Sequence, residues 1–256
     1  MTFNQYYEFP EGTNATHRYL LSSWYDLPTV QLAPDCSFLF SYNKATYLCP
    51  WDTSKVTNAT NMFDHASITS MMGAENWDTS NLKSAVRMFY YCTELTDISA
   101  IKNWNVSSLT DISDMFYNCE KLTEIDLSNW DTSNLTTMNS FLYKCTNLQK
   151  LSAIRTDKVS MPSYYGFVGT YELTNLTDFG GFINLKTSLT SDSNLKKCPN
   201  LTYQSCINVL NGLYDFTGHG ETPNSNQGKL KVHQNFLDLV GDEISIGTSR
   251  GWTITA

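Results

Sequence analysis

The chain has little charge, no basic cluster and no long apolar run. Only 16% of its 256 residues are charged, and the 25 acidic residues outnumber the 17 basic ones, for a formal net charge of -8. This balance excludes electrostatic attraction to nucleic acid as a main binding force. No apolar run approaches the roughly 20 residues needed to cross a bilayer, so we expect no membrane insertion.

The beginning of the sequence lacks the pattern of a secretion signal. The segment MTFNQYYEFPEGTN has no basic start followed by an apolar stretch. We therefore expect a cytosolic protein, one carried outside by another route, or one cut from a longer precursor. Residues 1–35 are rich in aromatic side chains, such as Tyr19 and Trp24, and are predicted to form an N-terminal cap or an assembly segment.

Residues at typical catalytic or metal-binding spacing are scarce. The four histidines (His17, His65, His219 and His233) are scattered, and none stands in an H-E-x-x-H or triad-like context. The seven cysteines include no C-x₂-C pair of the kind that binds zinc. We therefore predict no enzyme, no cofactor and no metal site. The weak signal to the contrary is TGHGE, which places His219 and Glu221 in one loop.

What the sequence has instead is a repeat. A tryptophan followed by a small polar turn recurs at Trp51, Trp77, Trp104 and Trp130, at steps of 26, 27 and 26 residues. With the tryptophan as position 1, apolar residues recur at positions 6, 9, 12, 13, 16, 19, 22 and 24. The first unit departs from the pattern at position 16, where Ala66 replaces cysteine. A fixed period of this length is typical of repeat architectures.

Each unit has the pattern of one coil of a stack. Positions 6 to 16 are spaced by three or four residues, as on one face of a short helix or in a run of 3₁₀ turns. The DTS or NVS before them can cap free backbone N–H groups. Positions 19, 22 and 24, read from LTEIDL, are close to the L-x-x-L-x-L strand of leucine-rich repeats.

One such coil cannot bury its apolar side alone, so the pattern predicts stacking. We expect coils about 4.8 Å apart with strands that pair in parallel, which is an α/β leucine-rich-repeat solenoid with short helical returns and a cap at each end. The four tryptophans should then form a buried column at one corner. The alternative is an exposed aromatic strip for binding.

Four cysteines share position 16 and should point into the stack. Cys92, Cys119, Cys145 and Cys198 are predicted to be buried free thiols that pack as small apolar groups. Adjacent thiols could approach disulfide distance, but a bridge would distort the stack. Cys36, Cys49 and Cys206 are less determined by the pattern.

The decay of the period divides the chain into three regions. Residues 1–35 precede the repeat, residues 36–201 form it as six or seven coils, and residues 202–256 form a C-terminal α/β cap. The segment DKVSMPSYYGFVG should leave the stack as a loop. In the cap we expect a helix in SCINVLNGLYDF, a strand at KLKVH, a turn at NFLDLV, a helix from Asp242 as N-cap to Gly251, and a closing strand at WTIT.

The motifs resemble those of BspA-like leucine-rich repeats. NLTTMNSFLYKCTNLQKL and SLTDISDMFYNCEKLTEIDLSNWDTSNL carry the M-F-x-x-C-x-x-L-T and N-W-D-T-S-N cores, and the likeness extends over residues 36–155 and weakly to about 201. This family includes a domain of unknown function in mycoplasma and gut-bacterial surface proteins. The ending DEISIGTSRGWTIT is similar to the closures of gut phage and bacterial repeat proteins. The resemblance implies adhesion or protein binding at a surface, without catalytic residues.

Solenoid geometry predicts where a ligand would bind. Residues between the inward strand positions should face outward along the concave sheet. They are Thr96, Asp97, Ser99, Thr123, Glu124, Asp126, Ser128, Gln149, Lys150 and Ser152. This hydroxyl-rich and mildly acidic face suits a glycan or a polar protein surface, or is simply solvated.

Two functions follow from these observations. The first is a non-enzymatic attachment or structural component of a bacteriophage particle, in the tail, a fibre or the capsid decoration. The second is a bacterial cell-surface adhesin of the BspA-like type whose signal lies outside this sequence. The partners would be virion components, a host surface protein or a surface glycan, and either protein could form a homo-oligomer. The location would be the virion or the bacterial surface, and a cytosolic scaffold is the third alternative.

Overall fold

The computed structural model describes residues 31–44, 51–159, 173–189 and 195–256. Nearly all of the predicted N-terminal segment, and the predicted loop from residue 160 onward, lie outside the described residues. Within the described ranges the chain has mixed helix and strand content with small parallel sheets. No helix in this part of the chain is long and apolar enough to span a bilayer.

The described residues form short strands and helices. The strands are β1 (Glu124–Ile125), β2 (Lys150–Leu151), β3 (Ile154–Arg155), β4 (Asp178–Phe179), β5 (Phe182–Ile183), β6 (Lys229–Lys231) and β7 (Thr253–Thr255). The α-helices are α1 (Tyr203–Asn211), α2 (Gln234–Val240) and α3 (Ser245–Thr248), and 3₁₀ turns cover Ser99–Asn103, Leu195–Lys197 and Gly241–Ile244. The sheet orders are β1-β2-β4, β3-β5 and β6-β7, all parallel.

Parallel pairing joins the same position of successive units, as the sequence predicts. Glu124 pairs with Lys150, and Lys150 pairs with Asp178. A second row of single parallel bridges follows position 8 of the units and connects Asp35, Asn58, Ser84, Asp111 and Thr137 in that order.

The return segments of the units are runs of turns, so the predicted short helices are wrong here. In the first unit the N–H of Met62 donates to the carbonyl of Ala59 at 3.1 Å, and Asn61 between them has φ +54°. Such a residue is the third of a type II turn and ends any helical path. The alternating backbone leaves every second N–H free to donate to the next unit, as Ala59 does to Ser84 at 2.9 Å.

Columns of identical side chains fill the interior between these turns. Phe40, Phe63, Phe89 and Phe116 stack in order, with ring centroids 5.3, 5.6 and 5.5 Å apart. Each ring in the middle of the column therefore has both of its faces covered by its neighbours, which exclude water from them.

The tryptophan column is buried, so the predicted corner is confirmed and the exposed-strip alternative is wrong. The rings of Trp51 and Trp77 lie 5.9 Å apart, and those of Trp77 and Trp104 lie 5.7 Å apart. Trp130 is 7% exposed and its indole N–H donates to the carbonyl of Ile101 at 2.8 Å. Trp104 makes the equivalent bond in the unit before it.

The thiols at position 16 are buried and free, as predicted. Cys92, Cys119 and Cys145 are fully buried. Each donates its S–H to the carbonyl of the phenylalanine one unit earlier, at 3.0 to 3.1 Å. Cys198 is also a buried free thiol.

The C-terminal part begins with α1, two residues before the predicted segment. Thr202 caps it by accepting a hydrogen bond from the N–H of Ser205, and Cys206 and Val209 lie on its buried face. The Ser205 hydroxyl also donates to the carbonyl of Thr177 at 3.0 Å, which holds the helix against the strand region before it.

The remainder of the C-terminal part follows the prediction in its strands and departs from it in its helices. β6 and β7 lie where KLKVH and WTIT predict them. NFLDLV is helical rather than a turn, because the imidazole of His233 accepts from the N–H of Asn235 and caps α2. Asp242 is no N-cap, since it lies inside a 3₁₀ turn that precedes α3. Gly251 ends this segment with φ +89°, as predicted.

Candidate binding surface

The ten residues predicted to bind a ligand lie on the surface beside the strands. Eight of them are exposed, and Asp126 and Ser152 are half-buried. The register of β1, β2 and β4 places the side chains of Glu124, Lys150 and Asp178 in one row, at the spacing of about 4.8 Å between neighbouring strands. We call this row and its exposed neighbours Thr123 and Gln149 the strand face.

Two of the predicted carboxylates hold turns of the backbone. Asp97 accepts from the N–H of Ser99 at 2.9 Å, and this bond lowers the pKa of Asp97. Asp126 accepts from the N–H of Ser128 at 3.0 Å. Partial burial would raise the pKa of Asp126, but the hydrogen bonds from Lys102 and Ser128 outweigh it, and the pKa is lowered. These carboxylates remain charged but are already bonded.

Two of the predicted hydroxyls are also used by the fold. Thr96 donates its hydroxyl to the carbonyl of Thr69 at 3.0 Å. The hydroxyl of Ser152 accepts from the N–H of Leu127 at 2.7 Å and donates to a neighbouring carbonyl. Hydroxyls bonded in this way have less capacity to bind a ligand.

The strand face itself keeps its side chains available. Glu124, Gln149 and Lys150 are exposed, and their side chains have no bonding partner among the residues that the structure describes. Asp178 joins them through its pairing with Lys150. The sequence could have shown this residue, since it precedes the inward Phe179 in the weaker copy of the repeat.

A second surface feature, an aromatic row on the turns, escaped the sequence interpretation. Its rings stack in the order Tyr42, His65, Tyr91, Tyr117 and Tyr143, with centroids 4.7, 4.7, 5.6 and 4.1 Å apart. Aromatic residues at positions 14 and 15 were the available signal. The faces of the inner rings are covered by their neighbours, whereas Tyr42 at the end of the row is 57% exposed. Burial raises the pKa of Tyr117.

Two thiols and two imidazoles of the described ranges are buried or already in contact with other side chains. Burial raises the pKa of Cys145 and of Cys198 to about 12, so both remain neutral thiols at neutral pH. His65 bonds Asp64, and His219 stacks on Tyr214 with ring centroids 4.9 Å apart. Across the described ranges, no three His, Cys, Asp or Glu side chains come together as metal ligands.

One known family matches part of the repeat region. Residues 67–174 match the family described as a mycoplasma protein of unknown function, DUF285. The match covers less than half of the chain and lies inside the predicted repeat region, and it confirms the resemblance to a mycoplasma family over these residues. No curated protein and no solved structure matches the chain.

Proposed function

We propose that the chain is a BspA-like leucine-rich-repeat solenoid that acts as a non-enzymatic attachment protein. It binds another protein or a surface glycan through the strand face. The observation that carries this proposal is the row of Glu124, Lys150 and Asp178, which parallel pairing holds at a fixed spacing on the surface. The sheet fixes the backbone of such a row, so the conformational entropy lost when a partner binds is confined to its side chains.

The solenoid assignment is supported by contacts that recur from unit to unit. Backbone bonds, thiol bonds and ring stacks each join equivalent positions of neighbouring units. In repeat proteins every unit contacts its neighbours and the surface forms one continuous binding strip.

The burial of the cysteine thiols and the structural contacts of the histidine imidazoles support a binding role over catalysis. The position-16 thiols lie inside the stack, where the thiolate that would act as nucleophile is disfavoured. Three of the imidazoles contribute to the fold: His65 bonds Asp64, His219 stacks on Tyr214, and His233 caps α2.

The site of action is a bacteriophage particle in this proposal, on the basis of the similarity of DEISIGTSRGWTIT to the closures of gut phage and bacterial repeat proteins. A bacterial cell-surface adhesin is the second candidate. It is favoured by the family match, whose description names mycoplasma.

The strand face can be tested with two charge-neutral double variants. Glu124→Ala with Lys150→Ala removes exposed charges of both signs from the face, and Lys83→Ala with Glu120→Ala removes the same two charge types from exposed positions elsewhere. Binding of labelled protein to purified phage particles and to intact host cells should fall by at least about 10-fold for the first pair, which corresponds to about 1.4 kcal/mol. Equal binding by both pairs would disprove the use of this face.

Location needs a separate measurement. An antibody against the chain should label purified phage particles in electron microscopy if the first candidate is correct. Label confined to the bacterial surface would support the adhesin, and label confined to the cytoplasm would reject both.

A further inference from the structure

A recess of about 290 Å³ lies between the turn after β5 and the C-terminal end of α1. It is lined by Gly180, Ile183, Asn184, Asn208, Asn211 and Gly212, among others. Its volume of about 290 Å³ is just below the range of about 300–1,000 Å³ that is typical of small-molecule sites. The recess is separate from the strand face.

Two glycines of the recess lining pack directly against neighbouring backbone. A Cβ on Gly212 would overlap the carbonyl of Phe182, and a Cβ on Gly180 would overlap the backbone of Ala153. The backbone of Gly212 approaches that of Phe182, and the backbone of Gly180 approaches that of Ala153, as closely as they do only because glycine has no side chain. Asn184, Asn208 and Asn211 line the recess beside these glycines.

The asparagine amides give the recess its chemistry. Asn208 is held by a bond from its amide N–H to the carbonyl of Phe179 at 3.2 Å and by a bond that it accepts from Gln204 at 3.0 Å. Asn184 and Asn211 are exposed, and their side chains have no partner among the described residues. Each free amide offers two donors and one acceptor oxygen, which match a pair of neighbouring hydroxyl groups.

The charge distribution favours a neutral ligand. The end of a helix attracts cations because its last carbonyls are unpaired. Here the guanidinium of Arg250 already donates to the carbonyls of Leu210, Asn211 and Leu213 at 3.3, 2.7 and 3.0 Å. No charged side chain lines the described part of the recess, so a cation or an anion would find no counter-charge there.

We propose that this recess binds one or two sugar rings of a glycan. The amides of Asn184 and Asn211 bond vicinal hydroxyls, and the exposed side chain of Ile183 contacts a C–H face of the sugar. The ring of Tyr214 is no stacking platform, since Lys186 lies 3.7 Å above it and His219 stacks on it. This inference rests on the proposed attachment function and specifies its ligand class, at a second site.

The test uses free glucose, galactose, mannose and N-acetylglucosamine as probes, with binding measured by saturation-transfer NMR and titration. At least one sugar should bind the full chain. Asn211→Ala and Asn184→Gly should each weaken that binding by about 3- to 10-fold, the effect of one lost hydrogen bond. Glycine keeps the φ of +57° that Asn184 adopts, and alanine is tolerated at an exposed helix end.

Matched variants make the outcomes decisive. Asn226→Ala removes another exposed amide outside the recess and should leave sugar binding unchanged. The double variant Glu124→Ala, Lys150→Ala should also leave sugar binding unchanged, although it should weaken attachment to particles or cells. The inference is overturned if none of the four sugars binds. It is also overturned if the double variant Asn184→Gly, Asn211→Ala keeps the melting temperature of the natural chain and binds the sugar as tightly as the natural chain does. Neither result would remove the proposed function, which depends on the strand face.

Discussion

The repeat and the C-terminal part bury their apolar side chains by opposite means. In the repeat, residues 51–155, one contact is copied from unit to unit, as in the phenylalanine column with its spacings near 5.5 Å. In residues 202–256 individual contacts take the place of copied ones. Arg250 caps three carbonyls there, and the indole of Trp252 donates to the carbonyl of Tyr214 at 2.9 Å.

The difference shows where each region tolerates change. A column continues past a replaced member, as position 16 does where Ala66 stands in for cysteine and remains 2% exposed. A contact that occurs once has no neighbour to take its place. Changes in the repeat should therefore scale with the buried volume removed, whereas changes in the C-terminal part should depend on a few individual residues.

The largest effect is expected in the phenylalanine column. Phe89→Ala should lower the free energy of unfolding by about 3–5 kcal/mol, because it removes a fully buried ring that stacks on both neighbours. Chemical denaturation measures the loss. Tyr203→Ala, at a ring that is 44% exposed, is the control and should cost much less. Similar losses from both would mean that the column is not the core of the repeat.

The next prediction compares two reasons for a glycine in the C-terminal part, namely lack of space for a Cβ atom and a positive φ. Gly212→Ala should cost about 2–3 kcal/mol, because its Cβ would overlap the carbonyl of Phe182 although its φ of -82° suits any residue. Gly220→Ala meets no atom within 4 Å but has φ +67°, and it should cost about 1 kcal/mol. Melting temperatures in the reverse order would show that the close approach at Gly212 is not required.

Removal of a cationic side chain should destabilise the C-terminal part more than the repeat. Arg250→Ala should cost about 2 kcal/mol, because it removes a charged donor from three carbonyls at a helix end. Lys121→Ala breaks an exposed ion pair with Glu94 in the repeat and should cost less than about 0.5 kcal/mol. Urea titrations of both variants would test this ranking, and equal losses would contradict it.

The last effect is a pH dependence of the thiol column. Burial raises the pKa of Cys145 from 9.0 to about 12, so the unfolded chain loses this proton at a lower pH than the folded chain does. Stability from this group is full below about pH 9 and is lost as pH rises toward 12. Between pH 7 and pH 10 the natural chain should lose on the order of 1 kcal/mol more than Cys145→Ala does. Parallel pH profiles would show instead that the thiol ionises equally in both states.

The strands and side-chain columns of the repeat could be predicted from the sequence, but its return segments could not. Apolar spacing by three and four fits a helix and a run of turns equally well. The positive φ values of Asn61 and His65 decide for turns, and these residue types tolerate that conformation without requiring it. The choice depends on hydrogen bonds to the next unit, which no single unit contains.

The C-terminal part was less predictable because its decisive residues act at a distance. Nothing near Gly212 in the sequence indicates the carbonyl of Phe182, which lies on a strand that precedes α1. The strand face was only half predictable for a related reason: alternation shows which side chains face outward, but not that Asp97 and Ser152 are already bonded by the fold.

By itself, the sequence determined the period, the buried columns of tryptophan, phenylalanine and cysteine, and the parallel order of the units, because each follows from burial repeated at a fixed spacing. Only the tertiary structure decided how the returns turn, which polar side chains remain available, and where the asparagine-lined recess forms. Those outcomes depend on which backbone groups from distant parts of the chain meet, and a local pattern of residues does not carry that information.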